Sequence, residues 1–206
     1  MTHPRHARSV RAYVGLGANV GDAPATLAGA ARALAALPGV QLRGVSRLYV
    51  TKPVGVADQP DFRNAVVSLD VPAGPDPETG AIALLVALKQ LERAFGRQRR
   101  GRWGPRELDL DLLAFGGAQL TVARPPEGRS LDDAGAGSAL LVVPHPEARH
   151  RLFVLAPWAE LAPEWAPPGW GETVDAARRR QTALEGPKAA VPIAEWTGEG
   201  WKPLAG

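Results

Sequence analysis

The sequence predicts an α+β fold in which helices pack on an antiparallel-rich sheet. The first observation is the element order, strand, helix, strand, strand, helix and strand over residues 11–115. The second is composition, because 206 residues with 45% apolar and 22% charged residues are typical of a globular chain. The order is that of a ferredoxin-like βαββαβ sandwich, here with additional C-terminal elements. We expect one domain over 1–206, with its core at about 11–175 and a tail at 182–206.

The first predicted elements are a strand and a capped helix. Residues 11–17 (RAYVGLG) form a short apolar run typical of a buried strand. Asp22 can cap a helix that has Pro24 in its first turn and that ends before the Pro-Gly pair at 38–39. A second strand is predicted over 40–51, where β-branched residues are frequent.

The next elements are a strand, a longer helix and a further strand. Residues 62–71 (FRNAVVSLDV) predict the third strand. Asp76 begins a helix whose apolar residues recur along one face as far as Phe95, and Gly96 ends it. After an arginine-rich loop, residues 108–115 (LDLDLLAF) predict the fourth strand.

The C-terminal part is predicted to be less regular. It comprises a surface loop over 124–139, a short strand over 140–143, a partly helical segment over 147–162 and a small helix over 173–181. We expect breaks at Pro157 and Pro163, because proline removes a hydrogen-bond donor and clashes with the preceding turn. Beyond Gln181 the pattern fades into a tail that contains glycine, proline and tryptophan.

Composition also excludes several classes of protein. No apolar run approaches the roughly 18 residues of a membrane span, so we expect no membrane partner. The N-terminal residues are basic but lack the apolar region of a secretory signal. The chain has no cysteine, which excludes disulfides and thiolate metal sites. We therefore expect a cytoplasmic protein.

Five arginines lie within ten residues of one loop. They are Arg97, Arg99, Arg100, Arg102 and Arg106. Guanidinium groups bind phosphate in a bidentate manner, so the cluster favours a phosphate ligand. A nucleic acid is an alternative, but the strand aromatics lack the pattern of an RNA-binding sheet. We expect no nucleic-acid partner.

Asp109 and Asp111 are two residues apart on a predicted strand, so both side chains point to the same face about 6.6 Å apart. Carboxylates on a rigid strand suit Mg²⁺, and a pair of them can bridge two metal ions. The alternative is the exposed face of an ordinary amphipathic strand. The preceding Trp-Gly-Pro-Arg (103–106) favours the metal site.

Two further residues allow both a functional and a structural interpretation. Trp103 lies on a Gly-flanked loop and could cover a site or fill the core. His145 lies between two prolines and could donate to a phosphate or serve a structural role. Gly15, Gly17 and Gly21 lack the spacing of a dinucleotide fingerprint, which needs intervals of two and three. These glycines are instead expected in a tight turn between strand and helix.

Four segments together resemble the 6-hydroxymethyl-7,8-dihydropterin pyrophosphokinase family of the folate pathway. They are YVGLGANVGD (13–22), TKPVGVADQPDFRNAV (51–66), RWGPRELDLDLL (102–113) and VPHPEARHRLFVLAPWAELAP (143–163). The resemblance implies a ferredoxin-like fold and transfer of the β,γ-pyrophosphoryl unit of ATP to the hydroxymethyl group of the pterin, with release of AMP. The chain departs from the common family pattern at Lys52, Phe62 and Pro146.

The resemblance also implies roles for individual residues. Asp109 and Asp111 would hold two Mg²⁺ ions, and Arg97 and Arg106 would act with them in catalysis. ATP would be bound by Arg97, Arg99, Arg102, Arg106, His145 and Arg151, with support from Glu92. The pterin would be bound by Thr51, Val54, Phe62, Asn64, Trp103 and Phe153, with the two phenylalanines on its faces. We expect a monomer, without an attached second enzyme of the same pathway.

A conventional kinase that transfers only the γ-phosphoryl group remains the alternative enzyme, because the same metal and arginine set could support it. The two readings differ in their nucleotide product, which is AMP in one case and ADP in the other.

Overall fold

The computed structural model describes residues 8–53, 58–97, 104–124 and 139–205. The strands are β1 (Ser9–Ala18), β2 (Gln41–Val45), β3 (Leu48–Thr51), β4 (Phe62–Pro72), β5 (Asp109–Phe115), β6 (Leu120–Ala123), β7 (Ala139–Val143), β8 (Val191–Trp196) and β9 (Trp201–Pro203). The helices are α1 (Ala23–Ala35), α2 (Pro77–Ala94), α3 (Leu152–Leu161) and α4 (Val174–Glu185), with a short 3₁₀ helix at Ala148–His150.

The main sheet is antiparallel and has the strand order β5-β1-β4-β3-β8-β9, with β2 also paired to β4. The central strand β1 runs beside β4 from Ser9↔Pro72 to Ala18↔Arg63. On its other side β1 pairs with β5, and the register shifts between Tyr13 and Val14. The predicted βαββαβ core is confirmed. Strands β6 and β7 form a separate hairpin, of which β6 was not predicted.

Helices α1 and α2 cover one face of the sheet. Alternate residues of the central strands, such as Val14 and Val67, are fully buried there against Leu27 and Leu88. Both helices begin as predicted, because the Asp22 carboxylate accepts from the Ala25 amide at 3.1 Å and Asp76 accepts from the Thr79 amide at 2.8 Å.

Helices α3 and α4 cover the opposite face. The intervening side chains of the strands, such as Tyr13 and Val66, point to this side and are buried. Tyr13, Trp158, Trp165 and Trp170 form an aromatic cluster with ring centroids 5.3–5.7 Å apart. The sheet therefore lies between two helical layers. No helix within the described ranges is long and apolar enough to cross a membrane.

The helix break predicted at Pro157 is wrong, because α3 continues through this proline to Leu161. Proline costs about 3 kcal/mol inside a helix. Against this cost, Leu155 and Trp158 are completely buried on the sheet, so packing holds the segment helical. The predicted break at Pro163 is confirmed, since α3 ends two residues before it.

The single strand predicted over 40–51 is two strands. Both pair antiparallel with β4, and the interruption between them begins at Ser46, which is 1% exposed. Its amide donates to the Val66 carbonyl at 3.0 Å, and its hydroxyl accepts from the Val66 amide at 2.9 Å. A side chain thus satisfies the backbone where the ladder is interrupted.

The tail beyond Gln181, for which no element was predicted, contains regular structure. Helix α4 continues to Glu185, and β8 then pairs antiparallel with β3 at the sheet edge. In the β8–β9 hairpin, Trp196 and Trp201 pack edge to face at 4.8 Å, and the Trp201 indole donates to the Ser46 carbonyl at 3.0 Å. Most of the loop predicted at 124–139 lies outside the described residues.

Candidate active site

A pocket lies on the α3 face of the sheet, where β1 ends and β4 and β5 begin. Gly17 pairs with Asn64 of β4 on one side and with Asp109 of β5 on the other. Two residues earlier, Gly15 stands opposite Asp111. The strand register therefore brings an amide and two carboxylates, far apart in the sequence, to one surface of the sheet.

The glycines of β1 form the floor between these polar groups. A Cβ atom at Gly17 would lie 3.2 Å from Asn64 Oδ1, and one at Gly15 would lie 3.5 Å from the Leu113 side chain. Glycine weakens a strand but permits close approach of a ligand. The tight turn expected from the glycine pattern involves only Gly21, which has a φ of +63°, because the other two are strand residues.

Most of the site residues predicted in described segments line this pocket, which encloses about 820 Å³ including its open mouth. The structure brings together Thr51, Phe62, Asn64, Arg106, Asp109, Asp111, Arg151 and Phe153. Val54, Arg99, Arg102 and Trp103 lie outside the described residues.

Asp109 is held by two arginines. Arg97 lies 2.7 Å from one of its oxygens, and Arg106 forms an ion pair with the other. Burial lowers the pKa of Arg97, but the carboxylates of Asp109 and Glu92 outweigh it and raise the pKa above its ordinary value. Arg97 is thus a permanent positive charge beside the pocket.

Asp111 lies deeper in the protein. Burial, and then the nearby charge of Asp109, raise the pKa of Asp111 above its ordinary value. The His145 ring is close enough for its charge to interact with that carboxylate, but burial lowers the pKa of His145, so the ring is neutral near pH 7. Its Nδ1 atom is buried and has no hydrogen-bond partner within the described part of the chain.

Glu92 stands behind the acidic strand rather than in the pocket. It is 3% exposed and accepts from the Leu110 amide at 2.8 Å, between the two aspartates. Lys89 donates to Glu92 at 2.7 Å and to the Leu110 carbonyl at 3.1 Å. Helix α2 therefore fixes the start of β5 through buried polar contacts.

The other half of the pocket is aromatic and amide-bearing. The Asn64 amide donates to the Thr51 hydroxyl at 2.8 Å, and both side chains are buried. Phe62 and Phe153 contribute rings from β4 and α3. The Arg151 guanidinium lies 5.8 Å from the Phe153 ring centroid. Such a lining suits a flat heterocycle with hydrogen-bonding edges.

Sequence reasoning missed Asn19, which connects two rims of the pocket. Asn19 is 4% exposed, and its side chain accepts from the Arg106 amide at 2.8 Å. Its amide group donates to the Gln59 side chain and the Pro60 carbonyl, both at 3.0 Å. The available signal was a polar residue directly after an apolar strand, at the entry to a capped helix.

The candidate metal ligands are the two aspartates. No group of three or more His, Asp or Glu side chains able to hold a metal lies within the described ranges. The aspartates nevertheless fit a hard cation, because both line the pocket and carboxylate oxygens are ligands that Mg²⁺ prefers. Burial, and then the charge of Asp109, raise the pKa of Asp111 and so disfavour its charged form, which a bound cation would favour.

Comparison with known proteins gives one consistent result. The sequence model of 7,8-dihydro-6-hydroxymethylpterin-pyrophosphokinase (HPPK) matches residues 13–163. The chain is 43% identical to a 2-amino-4-hydroxy-6-hydroxymethyldihydropteridine pyrophosphokinase of Methylorubrum extorquens, over 75% of this chain and 84% of that protein. It is 40% identical to the Synechocystis protein of the same name, over 79% of this chain and 72% of that one.

Among solved structures, the fold is similar to that of wild-type HPPK-DHPS of Plasmodium falciparum, with a TM-score of 0.66. The identity is 14%, so this likeness concerns the fold alone. The match covers 97% of this chain and 47% of that one, so the chain spans about half the length of the solved protein.

Proposed function

Because the chain belongs to the 7,8-dihydro-6-hydroxymethylpterin-pyrophosphokinase family, we propose that its main pocket binds ATP and 6-hydroxymethyl-7,8-dihydropterin side by side. The chain is a diphosphotransferase, and its reaction is pyrophosphoryl transfer to hydroxymethyldihydropterin in folate biosynthesis. The observation that carries the residue-level proposal is the row Asn64, Gly17 and Asp109 across three neighbouring strands. This row joins a heterocycle subsite to a phosphate subsite.

The pterin occupies the side formed by β3, β4 and α3. Asn64 Oδ1 faces the space above Gly17. Its amide nitrogen is already oriented by Thr51, so the side chain presents a fixed acceptor to the pterin edge. Phe62 and Phe153 stack on the ring, which excludes water from its faces. Val54 and Trp103 complete this subsite by family resemblance.

The triphosphate occupies the side formed by β5 and the arginines. Asp109 and Asp111 would hold two Mg²⁺ ions, whose contribution would be to neutralise phosphate charge. Arg97 and Arg106, now paired with Asp109, contact phosphate oxygens when ATP is present. His145 and Arg151 bind the nucleotide beside Asp111, and Glu92 supports the strand. Arg99 and Arg102 join this subsite by family resemblance.

In the reaction, the pterin hydroxymethyl oxygen forms a bond to the β-phosphorus of ATP. The bond between that phosphorus and the oxygen bridging to the α-phosphate breaks, AMP leaves with that oxygen, and the hydroxyl proton is released. The chain's own contribution is to align the two substrates and to surround the developing charge with fixed cations. Arg97 and Arg106, on the two sides of Asp109, supply the positive charge.

We also propose that the protein acts as a monomer in the cytoplasm. The proposed use of ATP supports the cytoplasm as the compartment.

The reaction is tested by incubating the protein with ATP, Mg²⁺ and 6-hydroxymethyl-7,8-dihydropterin and separating the nucleotides by chromatography. We expect AMP in a one-to-one ratio with a pterin diphosphate, and loss of both products with EDTA. An incubation without the pterin serves as the control for ATP hydrolysis. ADP as the product would instead support γ-phosphoryl transfer, and a folded protein without turnover would contradict both.

A further inference from the structure

The first turn of α3 carries pocket residues but lacks a cap of its own. Arg151 and Phe153, which line the pocket, stand on either side of Leu152. Arg151 is the N-cap residue, with φ −129° and ψ 108°, and its side chain makes no capping hydrogen bond. Helices usually satisfy these first amides with a side-chain oxygen from the cap residue.

That oxygen comes from α4, at the far end of the chain. Glu185 Oε1 accepts from the Leu152 amide at 3.0 Å. Gln181, one turn earlier and 8% exposed, donates to the same oxygen at 2.7 Å and so fixes its direction. A carboxylate at a helix N-terminus is also favoured by the helix dipole. Glu185 thus provides the missing cap from a distant part of the same chain.

A second contact from α4 holds the turn just before this point. The Arg180 guanidinium donates to the Arg149 carbonyl at 2.9 Å and lies 3.1 Å from Glu172. Residues 149–152 are therefore held from one side by α4 through two separate hydrogen bonds. Leu152 itself is 2% exposed and packs with Tyr49, away from the pocket.

We infer that Glu185 is a positioning residue for the transfer reaction, which acts by fixing residues 151–153 so that Arg151 and Phe153 face the substrates. Residue 185 lies beyond position 163, where the match to the family model ends. The inference rests on the proposed function of the pocket. It assigns to the C-terminal helix a task in substrate binding, in addition to covering the sheet.

The test compares Glu185→Ala and Glu185→Gln in the full chain. Alanine removes the acceptor, so we expect KM for the pterin to rise about two- to tenfold, the range that one net hydrogen bond accounts for, with kcat changed less. Glutamine keeps an oxygen at the same place and should restore KM to near the wild-type value. Amide hydrogen exchange of residues 149–156, measured without substrate, should become faster only in the alanine variant.

Thr173→Ala is the matched control, because Thr173 caps the opposite end of α4 by accepting from the Ala176 amide at 3.2 Å. Thr173→Ala should lower the melting temperature without changing KM or the exchange of residues 149–156.

An unchanged KM and exchange in Glu185→Ala, or a glutamine variant as impaired as alanine, would overturn the inference. Should alanine not fold, Gln181→Ala should give a smaller effect in the same direction, and no effect would count against it. A wild-type chain that makes no AMP would refute the proposed function, while the exchange comparison would still decide whether Glu185 holds residues 151–153.

Discussion

At the scale of single residues, the two aspartates of β5 lie in different surroundings. Asp109 shares its charge with Arg97 and Arg106, but burial and the charge of Asp109 raise the pKa of Asp111. An apolar or amide side chain at position 111 would be easier to bury. The Asp111 carboxylate is therefore best explained as a ligand for a cation.

We predict that Asp109→Ala and Asp111→Ala each fold normally and lose turnover by about a hundredfold or more, because each removes a carboxylate that would hold the Mg²⁺ ions needed to neutralise and align the phosphates. The measurement is AMP formation at saturating substrates, with circular dichroism as the check on folding. Comparable activity in either variant would overturn the metal assignment.

Asp70→Ala is the matched control for these two variants. Asp70 is also an aspartate on a central strand, but it pairs with Arg11 at 2.6 Å and Arg43 at 3.3 Å outside the pocket. Exposed pairs of this kind contribute about 0–1 kcal/mol. Turnover should therefore stay at the wild-type level in this variant.

At the scale of elements, α2 is capped at its start and contacts β5 at its end. Asp76 caps its first turn, and Glu92 in its last turn accepts from the Leu110 amide of β5. Hydrogen bonds from the Thr79 amide and hydroxyl lower the pKa of Asp76 below its ordinary value. The cap is therefore stronger when the carboxylate is charged.

The sign of this pKa shift predicts a pH dependence. The stabilisation from charged Asp76 is fully present above the ordinary aspartate pKa of about 3.9 and is lost as the pH falls through the lower folded value. We expect Asp76→Ala to be less stable than the wild type at pH 7, with a difference that shrinks towards pH 3, in urea unfolding of the metal-free protein. Asp76→Asn, which can cap but cannot titrate in this range, should not show that loss. A constant difference between alanine and wild type at all pH values would contradict the assignment.

The elements that sequence reasoning found and those it missed differ in their local signals. Strand β5 and helix α2 have regular apolar periods and clear ends, so local preference and tertiary packing agree. Strands β8 and β9 are short and contain prolines, and they exist because β3 offers an edge to pair with. Pro157 lies inside α3 for a similar reason, since the burial of neighbouring side chains outweighs the cost of a proline in a helix.

At the scale of the whole molecule, the pocket is assembled from β1, β3, β4, β5 and α3, so it exists only in the folded state. A ligand that binds only the folded state adds stability by mass action. We predict that ATP with Mg²⁺ raises the melting temperature, by the equivalent of about 2.7 kcal/mol at a concentration of 100 times Kd. EDTA should cancel most of the shift.

Variants separate this effect from nonspecific stabilisation by salt. Asp111→Asn should lose most of the shift caused by ATP with Mg²⁺, whereas Asp70→Asn should retain it. Equal shifts in both variants, measured by thermal unfolding at one ionic strength, would show that the nucleotide binds elsewhere.

The sequence by itself determined the order of the core elements, the pairing of Asp109 with Asp111 on one face and the family. These properties depend on residues near one another in the chain or on motifs that can be recognised in the sequence. Only the tertiary structure decided that Gly15 and Gly17 form the pocket floor, that Asn19 joins two rims, and that Glu185 reaches the start of α3. These contacts depend on strand register and on helices packed across the sheet, and no local pattern encodes the distance between residues 33 positions apart.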